Sequence, residues 1–123
     1  MNTLFLVYLI VEAIFGIGFL FFPGLLMGPM GVTLDETSTT FARMFGSLII
    51  SIPVLVFLAR KSTNPEYKKG VIYSVCVYLL ISTIILLIAQ IQGLMNSMGW
   101  SIVILHLGFF IWFGYYALPL RKN

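Results

Sequence analysis

The sequence predicts an all-α integral membrane protein in which four helices run alternately up and down as a bundle. Three observations support this prediction: four long hydrophobic stretches, a low content of charge, and basic residues that gather on one side. Of the 123 residues, 60% are hydrophobic and 9% are charged, whereas an ordinary soluble domain has roughly 25% charged residues. Because a soluble fold of this size buries only part of its surface, we expect lipid to cover the remainder.

The hydrophobic stretches account for most of the chain and predict a single transmembrane domain over residues 1–123. They lie at residues 3–22, 41–59, 70–91 and 100–118. Each is about as long as the roughly 20 apolar residues that a helix needs to cross a bilayer. The connections after the second and third stretches are short, so we expect successive helices to be antiparallel neighbours.

The basic residues predict the orientation of the bundle. Six of them lie outside the spans, at Arg60, Lys61, Lys68, Lys69, Arg121 and Lys122. The other two connections contain none, because residues 23–40 carry only Asp35 and Glu36 and residues 92–99 carry no charge. By the positive-inside rule, both chain ends and the 60–69 connection lie in the cytoplasm. The net charge of +3 is explained by this rule and does not indicate a nucleic-acid partner.

The first span carries an acidic residue near its middle. Glu12 shares a helical face with Tyr8 and Gly16, at spacings of four residues, and residues so spaced are neighbours on a helix surface. A carboxylate in the bilayer costs a few kcal/mol on insertion scales. We therefore expect Glu12 to face the interior of the bundle rather than lipid.

The connection at 23–40 and the start of the second span are unusual. The glycines and prolines of the 23–40 connection disfavour a regular helix before Val32. Its leucines and methionines predict that it either packs over the outer mouth of the bundle or dips into the membrane interface. Asp35 with Ser38 resembles a helix start, which predicts that the second helix begins before its apolar stretch and places Arg43 in its second turn. Pro53 is expected to kink that helix.

The third and fourth spans carry polar residues in their outer halves. Gln90 lies at the outer end of the third span, and His106 lies two turns inside the outer end of the fourth. The sequence contains no metal-ligand cluster, nucleophile motif or phosphate loop. It therefore predicts no catalytic residue, no metal site and no cofactor, and it favours a protein that is not an enzyme.

The polar residues inside the spans predict an outward-facing cavity with aromatic walls. Its predicted ligand-binding residues are Glu12, Arg43, His106, Gln90 and Tyr8. A cavity with a few convergent polar groups is the usual form of a ligand site. An alternative stays open, in which the same residues satisfy one another and fix the register of the helices. Two alternatives stay open for Arg43: it leans inward to meet Glu12, directly or through one water, or it extends outward to the lipid headgroups.

The first half of the chain resembles a known group of proteins. The stretch EAIFGIGFLFFPG from Glu12 to Gly24, followed by FARMFGSLI with Arg43 and Gly46, is similar to small four-span bacterial membrane proteins of the DoxX-like type. Most of these are uncharacterised, and some are membrane subunits associated with oxidoreductases. The resemblance implies that Glu12 and Arg43 are polar interior residues and that Gly46 packs closely, in a bacterial cytoplasmic membrane.

Three functional hypotheses follow. The first is an accessory or binding protein that holds a lipid-like or quinone-like molecule, or that anchors a membrane complex as a homo-oligomer or with other subunits. The second is a proton-coupled exporter, because the small multidrug resistance family also has four spans and a membrane-embedded Glu in the first. The third is an intramembrane enzyme that uses Glu12 and His106 as acid and base. The absence of a catalytic motif favours the first.

Overall fold

The computed structural model describes the backbone of residues 1–120 and the side chains of residues 1–118. Its helices are α1 (Asn2–Phe21), α2 (Pro23–Met27), a 3-10 turn at Gly28–Met30, α3 (Glu36–Lys61), α4 (Pro65–Ile91) and α5 (Gly99–Leu120). Four of them, α1, α3, α4 and α5, are long and apolar enough to cross a membrane. The predicted all-α class and the four hydrophobic helices are therefore confirmed for the described residues.

Two capping residues extend the helices beyond their apolar stretches. The Asp35 carboxylate accepts hydrogen bonds from the Ser38 backbone N–H at 2.7 Å and from the Ser38 hydroxyl at 2.6 Å, so α3 begins at Glu36 as the sequence predicts. Asn64 accepts in the same way from the amides of Glu66 and Tyr67. Such caps satisfy amides that lack a partner within the helix.

The connection after α1 corrects one prediction, because Pro23–Met27 forms a short helix where none was expected before Val32. Pro23 occupies the first helical position, where its missing N–H costs no hydrogen bond. The following 3-10 turn ends at Gly31, whose φ of 78° is left-handed and suits a residue without a side chain. The proline thus starts this segment and the glycine ends it, and neither residue prevents the segment from being helical.

The four long helices associate as two pairs. Helix α1 packs mainly against α3 and α4 mainly against α5, while the contacts between α3 and α4 are fewer. The closest approach joins α1 to α3 at two glycines: a side chain at Gly46 would lie 2.6 Å from the Leu20 nitrogen and 2.9 Å from the Gly16 oxygen. We expected α3 and α4 to be close antiparallel neighbours, because the link between them is short. They instead pack less closely with each other than each packs with its partner in the pair.

An aromatic cluster joins the two pairs. We call the end with the 22–35 and 92–98 connections the outer end, following the predicted topology, and the opposite end the inner end. Tyr8 of α1 meets Phe109 and Phe113 of α5 edge-to-face, with ring centroids 5.0 and 4.8 Å apart. Phe5 stacks on Phe113 at 6.0 Å, and Tyr8, Phe5 and Phe113 are fully buried. The core is therefore densest in the inner half.

The glycine contact between α1 and α3 makes a testable prediction. We expect Gly46→Leu to lower the free energy of unfolding in detergent by about 1–3 kcal/mol or more, because overpacking forces backbone shifts, here between two helix backbones. The matched control is Gly108→Leu, since a side chain there meets no atom within 4 Å. Equal thermal stability of the two variants would contradict a close contact at Gly46.

The cap of α3 makes a second prediction. The hydrogen bonds from Ser38 hold the pKa of Asp35 below its ordinary value, so the cap is present at neutral pH and is lost only as the pH falls through that lowered pKa. We expect the Ser38 amide resonance to titrate with a midpoint below the usual value of about 3.9 for Asp. In Asp35→Asn the same resonance should show no such transition, and a midpoint at or above the usual value would count against the cap.

Candidate ligand chamber

A cavity of about 320 Å³ lies between the two helix pairs in the outer half of the bundle, and we call it the chamber. Its volume falls at the lower end of the range of small-molecule sites. Its walls come from all four long helices and from both outer connections. The lining residues are Val11, Glu12, Phe15, Phe19, Met27, Met30, Phe45, Ile49, Tyr78, Leu79, Ser82, Ile85, Leu86, Met95, Ile102, Leu105, His106 and Phe109. The walls are therefore almost entirely apolar and aromatic.

Glu12 is the one acidic residue that lines the chamber. Its side chain is 6% exposed, which confirms that it faces the interior. The Tyr8 hydroxyl lies beside its carboxyl group, and among the residues whose side chains the structure describes, none forms an ion pair with that group. A buried charge without a partner is costly. The Glu12 carboxyl thus opens into the chamber as a group that a ligand could match.

His106 presents its free ring nitrogen as an acceptor. Its Nδ1 atom lies 3.0 Å from the Ile102 carbonyl oxygen, one turn earlier in α5. A carbonyl only accepts, so we assign the ring proton to Nδ1, and Nε2 of the neutral ring is left with a lone pair. The ring lies beside Tyr78, with centroids 6.3 Å apart. His106 is thus positioned as a hydrogen-bond acceptor for a ligand in the chamber.

A second cavity of about 430 Å³ lies between α3 and α4 in the inner half, and we call it the lower groove. It is lined by Ile52, Leu55, Glu66, Tyr67, Gly70, Val71, Ser74, Val75 and Tyr78. Tyr78 lies near the middle of α4 and lines both cavities. Its side chain therefore stands between the chamber and the lower groove.

The outer connections cover the end of the chamber, which is one of the two alternatives that the sequence predicts for the 23–40 segment. Met27, Met30 and Met95 line that end. Asn96 holds the two connections together, because its backbone N–H donates to the Met30 oxygen at 2.8 Å and its side-chain amide donates to the Pro29 oxygen at 2.9 Å. Flexible methionine side chains adapt to irregular shapes, so this cover can fit ligands of different outline.

The structure separates the five residues that the sequence predicts for the site. Glu12 and His106 line the chamber. Gln90 supports its cover instead, since its amide donates to the Asn96 oxygen at 3.0 Å. Tyr8 is fully buried in the aromatic cluster, one turn below Glu12, and its hydroxyl makes no hydrogen bond.

Arg43 lies elsewhere, and this position corrects the sequence-based picture of the site. Its side chain is exposed and is not part of the chamber wall. Among the side chains that the structure describes, Glu12 and Arg43 form no ion pair within 4.0 Å. The physical reason is the level of the contact: Gly46 meets the 16–20 stretch of α1, so Arg43 lies nearly one turn outward of that contact while Glu12 lies at least one turn inward of it. The chamber therefore contains a carboxyl group without the expected arginine.

Sequence reasoning missed two polar residues of the wall. Tyr78 and Ser82 of α4 both line the chamber, and the Ser82 hydroxyl donates to the Leu79 carbonyl at 3.2 Å. Their spacing of four residues is the signal that could have identified them, because it places them on one face of a helix. Neither is ionisable near neutral pH, so neither stood out among the apolar residues of the third span.

Comparison with known proteins yields one family. The model of a domain of unknown function, DUF8292, matches residues 6–122. No curated protein matches the chain, and no solved structure matches it. The matched range includes every residue of the chamber wall, so the chamber lies wholly within the family domain.

The cover of the chamber makes a testable prediction. We expect Asn96→Ala to expose the 27–31 segment, because the loss of one hydrogen bond is worth about 1 kcal/mol. The measurement is the rate of thiol labelling at Met30→Cys, with Cys76→Ser in the background, which should rise. Ser97→Ala is the matched control, since it changes the neighbouring residue without removing the bond to Pro29. An unchanged labelling rate in Asn96→Ala would contradict the assigned cover.

Proposed function

We propose that this chain, which belongs to the DUF8292 family of unknown function, is a membrane-embedded binding protein that holds a small hydrophobic molecule in its chamber. The observation that carries the proposal is the Glu12 carboxyl group, which is buried, forms no ion pair with any described side chain and lines an apolar cavity. A large apolar pocket with a few convergent polar groups is the usual form of a ligand site. The ligand is lipid-like or quinone-like in its hydrophobicity.

The proposed location is a bacterial cytoplasmic membrane, with both chain ends and the 60–69 connection in the cytoplasm. The four apolar helices are compatible with a multi-pass membrane protein. The orientation rests on the positive-inside rule and on the basic residues near the ends of α3 and α4, at Arg60, Lys61, Lys68 and Lys69. Arg121 and Lys122, which also support it, lie outside the described residues.

A second candidate function is a proton-coupled exporter that uses Glu12. The lower groove favours this candidate, because it adds a second cavity that shares Tyr78 with the chamber. A small multidrug resistance mechanism would place two chains of opposite orientation in one dimer. The concentration of basic residues on one side argues against it, because it favours a single orientation. The DoxX-like resemblance of the first half stays a hypothesis, and it favours an accessory role in a complex with other subunits.

The experiment is native mass spectrometry of the protein released gently from the membrane in which it is made. We expect a hydrophobic adduct on the parent chain and its loss in Ser82→Phe, because the larger ring occupies part of the chamber. The matched control is Ser74→Phe, which makes the same change two turns away on α4 in the wall of the lower groove.

The outcomes of this experiment separate the functions. An adduct retained in Ser74→Phe and lost in Ser82→Phe supports binding in the chamber. Co-release with unrelated chains and no adduct would instead identify a structural subunit and contradict the proposal. An adduct that survives both substitutions would place the ligand outside the chamber and would also contradict it.

A further inference from the structure

We propose that the ligand of the chamber is a lipophilic cation, a hydrophobic molecule that places one ammonium group beside the Glu12 carboxylate. This inference rests on the proposed binding function and specifies the chemical class of the ligand. Three observations carry it: the charge of the chamber wall, the hydrogen-bonding character of its polar atoms, and its aromatic lining.

The first observation is the sign of the charge. The wall contains Glu12 but no Lys or Arg, and Arg43, the one basic residue within the hydrophobic stretches, is exposed elsewhere. An anionic headgroup would therefore meet a like charge and find no cation in the wall. With a neutral ligand, Glu12 would have no counter-charge, and its carboxyl group would stay protonated in the apolar wall. A single cationic group completes the pair.

The second observation is the hydrogen-bonding character of the polar atoms. The Nδ1 atom of His106 is engaged with the Ile102 oxygen, so the free Nε2 accepts and does not donate. An ionised Glu12 carboxylate also only accepts. A protonated amine donates to both of these atoms. The carbonyl oxygens of a quinone need donors, and in the wall the Tyr78 hydroxyl can supply one. With Glu12 ionised, the polar atoms therefore match an amine at two positions and a quinone at one.

The third observation is the aromatic lining. Five aromatic rings other than the imidazole contribute to the wall, and they are Phe15, Phe19, Phe45, Tyr78 and Phe109. The face of an aromatic ring attracts a cation, and the attraction increases when the site is desolvated. Aromatic walls also accept the hydrophobic part of the molecule. Aromatic rings gathered around a cation are a known way to recognise ammonium groups that carry carbon substituents.

The test uses three naphthalene probes that differ in charge: 1-naphthylmethylammonium, neutral 1-ethylnaphthalene and anionic 1-naphthylacetate. Binding is measured by equilibrium dialysis against the full chain in nanodiscs of neutral phosphatidylcholine, with empty nanodiscs subtracted for partition into lipid. We expect the parent to bind the cation in preference to the neutral probe and to bind the anion least. We expect Glu12→Gln to lower affinity for the cation about tenfold or more, as for loss of one partner of a buried charge pair.

Two variants serve as controls. Glu36→Gln makes the same change at an exposed carboxylate in the first turn of α3 and should leave the binding of all three probes unchanged. Ser82→Phe fills the chamber and should weaken the cation and the neutral probe together. The neutral probe should bind Glu12→Gln as well as it binds the parent, which also shows that this variant retains the folded chamber.

The possible results separate this inference from the proposed function. If Ser82→Phe abolishes binding while Glu12→Gln leaves the cation unaffected, the chamber binds hydrophobic molecules and the inference about charge is wrong. Preferential binding of the anion would also overturn it. If no probe binds the parent above empty nanodiscs, both the inference and the proposed binding function fail. Selective loss of the cation in Glu12→Gln supports both.

Discussion

The contact of α1 with α3 at Gly16 and Gly46 is the constraint on which the arrangement of the cavities depends. The two backbones approach so closely that a side chain at Gly46 would overlap main-chain atoms of α1, and small residues at such positions are typical of helix pairs in membranes. Glu12 lies between Gly16 and Tyr8 on one face of α1, and that face meets α3 at Gly16 and α5 at Tyr8. Helices α4 and α5 form the other pair, and the aromatic cluster joins the pairs mainly in the inner half. The outer half is left open as the chamber.

The chamber is thus a consequence of uneven packing rather than of any catalytic motif. Burying an acidic residue at the level of the bilayer costs about 2.5–3.5 kcal/mol on insertion scales, and no described side chain forms an ion pair that would offset that cost at Glu12. The dense inner core of Tyr8, Phe5 and Phe113 supplies contacts that can carry such a local penalty, since buried aromatic residues contribute strongly to stability. In this view the inner half of the bundle is structural, and the outer half is free to serve binding.

The sequence was informative where one physical factor dominated. Length and hydropathy predicted four helices, the cost of burying a charge predicted that Glu12 faces inward, and Asp35 with Ser38 predicted the start of α3. It was less informative where partners from distant segments decide the outcome. The distance of Arg43 from Glu12 depends on the level at which α3 meets α1, and the hydrogen bond from Asn96 to Pro29 joins residues 67 positions apart. Tyr78 and Ser82 belong to the site only because a cavity lies beside them, and a hydropathy pattern does not show where cavities form.

The position of Tyr78 has a consequence for the shapes of the two cavities. The chamber and the lower groove occupy opposite halves of the bundle, and one phenol side chain belongs to the walls of both. Side-chain rotations occur far faster than movements of whole helices. A turn of this single ring about its χ1 bond would reshape the walls of both cavities together, with no rearrangement of the helix pairs. One rotamer thus couples the shape of the chamber to the shape of the lower groove.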